Sequence, residues 1–368
     1  MIPVCEPNIT PHDIKLVNDA LTSGWISSAG KYLDLFEERW AEYCGMPFGI
    51  AVSNGSTALD IAVDLLGLEA GDEVIMPTFT IISPAQSVVR AGGIPVLVDS
   101  DPVTWQMDTA QIEAKITSRT KAIMVVHIYG HSADMDPIMA LSEKYGLTVI
   151  EDAAEVHGAD YKGRRCGGIG HISTFSFYAN KLVTTGEGGM VLVRSREHAD
   201  RARLLRNLCF QPDRRFYHET LGYNYRMTNV QAAMGVGQAE RIAETVKRKR
   251  EIAHAYSAAF SGIPAIQLPV EMPWAHNVYW VYGIVLGDER GIDAIRIMSQ
   301  LRGRGIETRP FFLGMHEQPV FQGMGLFCGQ RYPVAERLAR KGFYIPNGLT
   351  MTDGQIAEVA DAVRECLV

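Results

Sequence analysis

Basic runs are scarce in this 368-residue sequence, and no stretch of it is both long and uniformly apolar. Lysine and arginine together number 35 against 42 aspartates and glutamates, a formal net charge of −7. That balance excludes a general nucleic-acid binder, whose footprint is a basic patch. No run approaches the ~18 apolar residues of a membrane-spanning helix. The opening MIPVCEPNIT also lacks the basic region and apolar stretch of a secretory leader. Six cysteines (Cys5, Cys44, Cys166, Cys209, Cys328 and Cys366) are scattered, with no CxxC pair and no Cys/His cluster at metal spacing. We therefore expect free thiols, a cytoplasmic protein and no metal site. Two nucleotide signatures are missing as well: the GxxxxGK[ST] loop and a strand-linked GxGxxG. Their absence sets aside a triphosphate-dependent enzyme and counts against a nicotinamide-dependent sugar oxidoreductase. No internal repeat or low-complexity tract is visible.

What is present is an ordinary globular balance, 47% hydrophobic and 21% charged, enough for a substantial core. The length predicts two domains, or a large one with a smaller partner. From Gly49 onward, short β-type runs (GIAVS, EVIMPT, IPVLVD, KAIMVVHIYG, LTVIEDAAE, ISTFSFY, GMVLV) alternate with amphipathic stretches such as TALDIAVDLLGL and DMDPIMALSEKYG. This is the pattern of an α/β fold, a mostly parallel sheet covered by helices. Ligands in such sheets collect at the carboxyl ends of strands. There the sequence puts Asn54–Ser56, Thr78–Ser83, His127–Tyr129, Asp152–His157 and Lys181. QAERIAETVKRKREIAHAYSAAF, Gln238 to Phe260, reads as one long charged helix leading to further strands (VYWVYGIVL, GIETRPFF) and helices. We expect a large domain over residues 1–240 and a small α+β domain over 241–368, with the N-terminal segment free to pack on the latter.

Three features carry chemistry. Asp152 closes an apolar strand, so its carboxylate faces a partly dry pocket and needs a cation or several donors. The plainer reading is a helix N-cap. SNGSTALD places small polar residues where a strand opens into a helix, aiming amides at an anion; again a cap alone explains it. STFSFYANKLVTTGEGGMVLV holds Lys181 between a β-type run and a glycine turn. A surface lysine needs no such setting, whereas a lysine that must lose its charge and attack a carbonyl does. Buried acid, phosphate cup and strand-end lysine have one joint explanation, pyridoxal 5'-phosphate (PLP). The lysine holds the aldehyde, the acid pairs with the ring nitrogen, and the helix start takes the phosphate. His127 and His131 read as packing or hydrogen-bonding residues. KRKRE (247–251) reads as a solvated helix face. Arg164 and Arg165, in a turn-rich loop, are candidates for a pyrophosphate.

EDAAE, GIGHISTFSFYANKLVTTGEGGM and LGYNYRMTNVQAAMGVGQ, in order with SGWISSAGKYLDLFEERWAEYCG, GDEVIMPTFT, DPVTWQMD, HIYGHSADMDPI and GIETRPFF, resemble the DegT-type nucleotide-sugar aminotransferases over nearly the whole chain. These belong to fold type I, with a large, mostly parallel seven-stranded sheet between helices and a smaller α+β domain. WISSAGKY, WQMD, TTGEGGM and NYRMTN are most similar to the GDP-perosamine synthases within that family. The resemblance implies PLP as cofactor, glutamate as amino donor and a nucleotide-linked 4-keto-6-deoxy sugar as acceptor, in the synthesis of O-antigen or another surface polysaccharide. It makes Lys181 the Schiff-base lysine and Asp152 the partner of the ring nitrogen. Glu155 comes beside the ring hydroxyl; Gly55, Ser56, Thr57 and Ser176 come around the phosphate. Asn224 would reach the phosphate of a neighbouring subunit, giving a homodimer with shared sites. Trp25, Ser27, Ser28, Arg309 and His316 would line the sugar or donor site. Two departures stand out. Ile81 occupies the place of a ring-stacking aromatic, a role Phe79 could share, and Leu313-Gly314 replaces a His-Pro pair. A dTDP- or UDP-linked keto sugar, or a PLP sugar dehydratase, is the alternative. The dehydratases replace the lysine with histidine, so Lys181 favours transamination, and it also counts against an idle regulatory member.

Overall fold

The computed structural model describes every residue except 212, 215 and 368. Its strands, in chain order, are β1 (Phe48–Val52), β2 (Glu73–Pro77), β3 (Ile94–Val98), β4 (Thr120–Val126), β5 (Thr148–Asp152), β6 (Asp160–Tyr161), β7 (Arg164–Arg165), β8 (Ile172–Ser176), β9 (Gly189–Val193), β10 (Ile266–Gln267), β11 (Ala275–His276), β12 (Tyr282–Leu286), β13 (Arg309–Pro310) and β14 (Gly342–Ile345). The α-helices are α1 (Pro11–Thr22), α2 (Lys31–Cys44), α3 (Gly55–Asp64), α4 (Ser83–Arg90), α5 (Met135–Tyr145), α6 (Arg196–Arg206), α7 (Asn229–Glu240), α8 (Ile242–Phe260), α9 (Ala294–Gly303), α10 (Pro319–Gly323), α11 (Pro333–Lys341) and α12 (Asp353–Leu367).

Seven strands form the main sheet in the order β1-β9-β8-β5-β4-β2-β3. β3, β2, β4, β5 and β8 run parallel, and β9 is antiparallel to both its neighbours. Strands buried on both faces need apolar residues at consecutive positions, and β4 shows the result. Met124 and Val126 enter the core cluster that includes Phe36, Trp40 and Phe175, while Ile123 and Val125 enter the opposite one with Met135 and Ile138 of α5. A second sheet, β10-β12-β14-β13, is antiparallel. Its core takes Tyr282, Ile284 and Leu286 from β12 and Ile252, Tyr256 and Phe260 from α8. The N-terminal residues lie beside this sheet, with Ile2 bridging Ile306 and the Asn347 amide donating to the Val4 carbonyl over 3.0 Å.

The helix expected over Gln238–Phe260 is broken. Arg241 leaves helical geometry (φ −114°, ψ 18°) between α7 and α8. Its guanidinium is drawn to the buried Asp13 carboxylate, 2.9 Å away, and to the Asn8 carbonyl. The KRKRE run is likewise not a uniform solvated face. Lys249 is buried and donates to the Asn347 carbonyl, because it falls on the inward stripe of α8 with Val246, Ile252 and Tyr256.

Candidate active site

Period-two alternation at the end of β5 sends two adjacent carboxylates to opposite faces. Glu151 accepts from the amides of Gly167 (2.8 Å) and Ile169 (2.7 Å) and pairs with His127 Nε2 at 3.1 Å. His127 Nδ1 accepts from the Ala133 amide, so its role is structural. Asp152 faces the other way, into a cavity of about 640 Å³ at the carboxyl ends of β4, β5 and β8. Turns, not a helix, follow it, so the N-cap reading of Asp152 fails. One oxygen accepts from the Ala154 amide at 3.1 Å; among the described residues the other has no partner. Burial pushes the Asp152 carboxyl up from its ordinary value, opposed by that amide and by Lys181.

Lys181 lies in the turn after β8, its amide donating to the Tyr178 carbonyl at 2.9 Å. Its Nζ comes 3.9 Å from Glu155 Oε1 and 3.7 Å from the centroid of the Trp280 ring. Desolvation lowers the Lys181 amine from its ordinary value, against the pull of Glu155 and Asp152. Glu155 is pushed up to about 7 by burial, with Lys181 opposing; its Oε2 accepts from the Tyr129 amide at 2.8 Å. An amine of lowered basicity therefore sits within reach of a carboxyl able to take or give a proton near neutrality, the combination a nucleophilic lysine requires.

The cup at the start of α3 serves both as a cap and as an anion seat. Asn54 Oδ1 accepts from the Thr57 amide (2.9 Å) while Thr57 Oγ1 accepts from the Asn54 amide (3.1 Å). The Thr57 hydroxyl also donates to the Asn54 carbonyl at 2.8 Å. Thr57 thus lines the cavity with its polar groups already engaged, which removes it as a phosphate ligand. The first-turn amides of Gly55 and Ser56 have no intrahelical partner, and none is supplied among the other described residues. Gly55 cannot be larger: a Cβ there would lie 2.6 Å from Ser176 Cβ. That close approach brings the Ser176 hydroxyl beside the two amides. The start of α4 adds a hydroxyl that the sequence placed at a strand end without giving it a role: Ser83 Oγ is 2.8 Å from Ser56 Oγ.

Other expected residues fall elsewhere. Ile81 lines the cavity, whereas Phe79 is fully buried against Tyr129, Phe311 and Phe312 and does not reach it, so the shared stacking role is not available to Phe79. Asn224 pairs with Asn207 and does not line the cavity of its own chain. Trp25 is 62% exposed, and Ser27 offers its carbonyl to the Asn229 amide. Ser28 lines a separate cavity of about 180 Å³ with Arg206 and Arg226. Arg309 pairs with Glu307 at 2.5 Å and faces a third cavity. His316 is buried, with Nδ1 2.8 Å from Thr78 Oγ1 and Nε2 3.4 Å from Glu336. Both of its nitrogens are engaged, so it is a packing residue and not a sugar ligand. Gly314 makes that possible, since a Cβ there would lie 2.7 Å from the His316 ring. Arg165 is held by Asp160 and the Gly158 carbonyl, and neither it nor Arg164 lines the cavity. The residues missed from sequence are Trp280, Tyr344 and Phe312, from the C-terminal part, and Tyr225, whose hydroxyl donates to Asp60 at 3.2 Å.

The profile of the DegT/DnrJ/EryC1/StrS aminotransferase family matches residues 7–364. The chain belongs to this family. It is 39% identical to the GDP-perosamine synthase of Escherichia coli O157:H7 over 99% of this chain and 98% of that one. It is 34% identical to the dTDP-3-amino-3,4,6-trideoxy-alpha-D-glucose transaminase of Streptomyces venezuelae, over 99% and 96%. The crystal structure of the aminotransferase TlmJ from Streptoalloteichus hindustanus superposes with a TM-score of 0.93 at 28% identity, covering 100% of this chain and 99% of that one. The large mostly parallel sheet with a smaller antiparallel one is thus the family's fold, as the α/β pattern and the fold type I resemblance led us to expect. The residues present also fit the family's cofactor. Two unpartnered amides face the place of a phosphate, a buried carboxylate has an oxygen to spare, and a desolvated lysine lies between them.

Proposed function

We propose that this protein transfers an amino group from glutamate to a nucleotide-linked 4-keto-6-deoxy sugar, with GDP-4-keto-6-deoxymannose as the acceptor and GDP-perosamine as the product, using PLP. The observation that carries the reading is the Lys181 amine, buried between Glu155 and the face of Trp280 with Asp152 on the neighbouring strand end. PLP supplies an aldehyde and an electron-withdrawing ring. Lys181 Nζ is the group that would join that aldehyde and that, when free, would move a proton at the substrate carbon. Asp152 would pair with the ring nitrogen and keep it protonated. Gly55, Ser56 and Ser176 would hold the phosphate. Glu155, from its place beside Lys181, is the proton reservoir of the pair.

The similarity to a GDP-perosamine synthase over the whole chain supports the sugar, and we extend the proposal to a role in O-antigen or other surface polysaccharide synthesis. We further propose a homodimer in which Asn224, Trp25, Ser27 and Ser28 complete the partner's site. The cavity of one chain carries Asp60, Asp152, Glu155 and Glu187 against Lys181 and Arg90. Two cations are too few for a phosphate, a diphosphate and a dicarboxylate donor, and a second copy is the natural source of the rest. The cysteines are free, which suits a reducing cytoplasm.

The test is direct. Purified protein should absorb in the visible, and borohydride should fix the cofactor to Lys181; a label on any other lysine refutes the assignment. A panel of GDP-, dTDP- and UDP-linked keto sugars, with glutamate as donor, reads the acceptor. Turnover of a dTDP-linked sugar alone would refute the perosamine reading and favour the second one, which the similarity to the Streptomyces venezuelae transaminase supports.

A further inference from the structure

The Lys181 side chain has two neighbours of different kinds. One is Glu155, an expected partner; the other is Trp280, which nothing in the local sequence around the lysine announces. The indole is only 6% exposed, and its ring centroid lies 3.7 Å from Lys181 Nζ. Its Nε1–H donates to the carbonyl of Asn180, the residue before the lysine, at 2.8 Å. One side chain thus grips both the loop that carries the lysine and the end of the lysine itself.

This placement is built. Tyr279 adopts a left-handed backbone (φ 48°), and its amide donates to Asn277 Oδ1 at 2.7 Å. Its carbonyl accepts from Asn347 Nδ2 at 2.8 Å. Gly130 lets the segment close in, because a Cβ there would lie 2.5 Å from the Trp280 amide nitrogen. A bulky residue held in left-handed geometry by side-chain amides and a glycine contact is costly unless its direction matters.

We propose that Trp280 is the positioning residue for Lys181: its face holds the lysine amine whenever that amine is not joined to the cofactor, and its N–H fixes the loop from which the amine reaches out. The proposal rests on Lys181 being the lysine that joins PLP. An ammonium is attracted to an indole face, so the ring keeps the free lysine inside the cavity, between itself and Glu155, instead of letting it swing out of the site. The charged groups facing the amine are Glu155 and Asp152, from the end of β5 and its following turn; Lys249 of α8 donates instead to the Asn347 carbonyl. His157, behind the loop, stays neutral. Because Trp280 precedes β12, the contact also ties the lysine to the second sheet.

The test uses two readouts that do not need turnover. In cofactor-free protein, ionisation of an amine against an indole changes the indole emission. An emission titration should show a transition below the ordinary lysine value that disappears in both Lys181→Met and Trp280→Phe. In the second readout, covalent capture of added PLP is followed by absorbance. Trp280→Phe, which keeps a ring face, should capture within about threefold of wild type. Trp280→Leu, which keeps only bulk, should be at least about tenfold slower, the size of effect a desolvated cation–π contact carries. A transition that survives Lys181→Met, or a Leu variant as fast as the Phe variant, overturns the proposal. If borohydride labels a different lysine, the assignment of Lys181 fails, while the emission titration still decides whether Trp280 holds its amine.

Discussion

Replacing Gly55 with alanine tests the geometry of the anion seat more sharply than removing any of its hydroxyls. Gly55 opens α3 and its φ is not left-handed, so the backbone itself tolerates alanine there. The added Cβ, however, would lie 2.6 Å from Ser176 Cβ and 3.1 Å from Ser176 Oγ. Carbon atoms rest at about 3.5–4.0 Å, so the helix start and the end of β8 must part by roughly 1 Å. Two amides and a hydroxyl that converge on one phosphate then no longer do. Misaligning one charge-assisted hydrogen bond costs about 1.5–3 kcal/mol, which is a roughly tenfold to hundredfold weaker hold on PLP. Titrating cofactor-free protein with PLP, read by quenching of its emission, measures this. Thermal unfolding without cofactor should be lowered as well, since parting two packed segments costs about 1–3 kcal/mol, and the PLP titration is therefore run well below the unfolding temperature. The decisive step is a double-mutant cycle. Ser176→Gly alone weakens binding by loss of its hydroxyl, but in the Gly55→Ala background it relieves the clash, so the double variant should bind better than the product of the two single effects. Strict additivity, or a Gly55→Ala protein that binds PLP as tightly as wild type, would refute the reasoning.

Asp152→Asn should retain cofactor yet slow the half-reaction with glutamate by about a hundredfold or more, since it cannot keep the ring nitrogen protonated; stopped-flow absorbance checks this. His157, packed among Trp40, Phe175 and Phe177 with Nδ1 accepting from the Val183 amide at 3.2 Å, is lowered by burial to about 3. The unfolded chain binds that proton near pH 6.5 and the folded one does not, so stability is present above pH 6.5 and falls as pH drops, by about 2 kcal/mol at pH 5. Urea midpoints across this range should show the loss, and His157→Gln should abolish that share of the slope. Mixing Lys181→Ala with Asn224→Ala protein under subunit exchange should restore activity in some heterodimers; no recovery despite proven exchange would refute Asn224 as a residue of the partner's site. His316→Gln, which keeps a hydrogen bond to Thr78, should alter the Michaelis constant for the sugar less than threefold, whereas a sugar ligand lost would raise it about tenfold or more.

The parts of this site that were legible in sequence share one property: each announces itself within about ten residues. Lys181 stands beside an apolar strand and a glycine turn, Asp152 ends a buried run, and Gly55 and Ser56 open a helix behind a capping asparagine. Ser83 belongs to the same class, a serine before proline at a helix start after a β-type run, and could have been read the same way. Trp280, Tyr344 and Phe312 could not. Within VYWVYGIVL the tryptophan looks like one more core aromatic, and only the packing of the second sheet against the first turns it toward a lysine about a hundred residues earlier. His316 shows the converse error. The family resemblance put it in the sugar or donor site, yet Thr78 and Glu336, from distant parts of the chain, satisfy both its nitrogens in the interior.

Arg241 and Lys249 make the same point for the fold. A helical period ran unbroken from Gln238 to Phe260 because local propensity favours it; Asp13, held at 0% exposure on α1, is what stops it. A buried carboxylate without a cation is costly enough to outweigh the loss of a few helical hydrogen bonds, and Arg241 is the cation that reaches. Lys249, by contrast, was visible in the periodicity: it sits three residues after Val246 and three before Ile252, on a stripe that had to face inward. Charge run and apolar stripe made opposite demands on it, and the stripe won because the Asn347 carbonyl gives the ammonium a partner there. Asn347 also donates to the carbonyl of Tyr279, the residue before Trp280. The lysine that broke a surface pattern is therefore part of the scaffold behind the indole that meets Lys181, which ties an anomaly on the long helix to the geometry of the proposed chemistry.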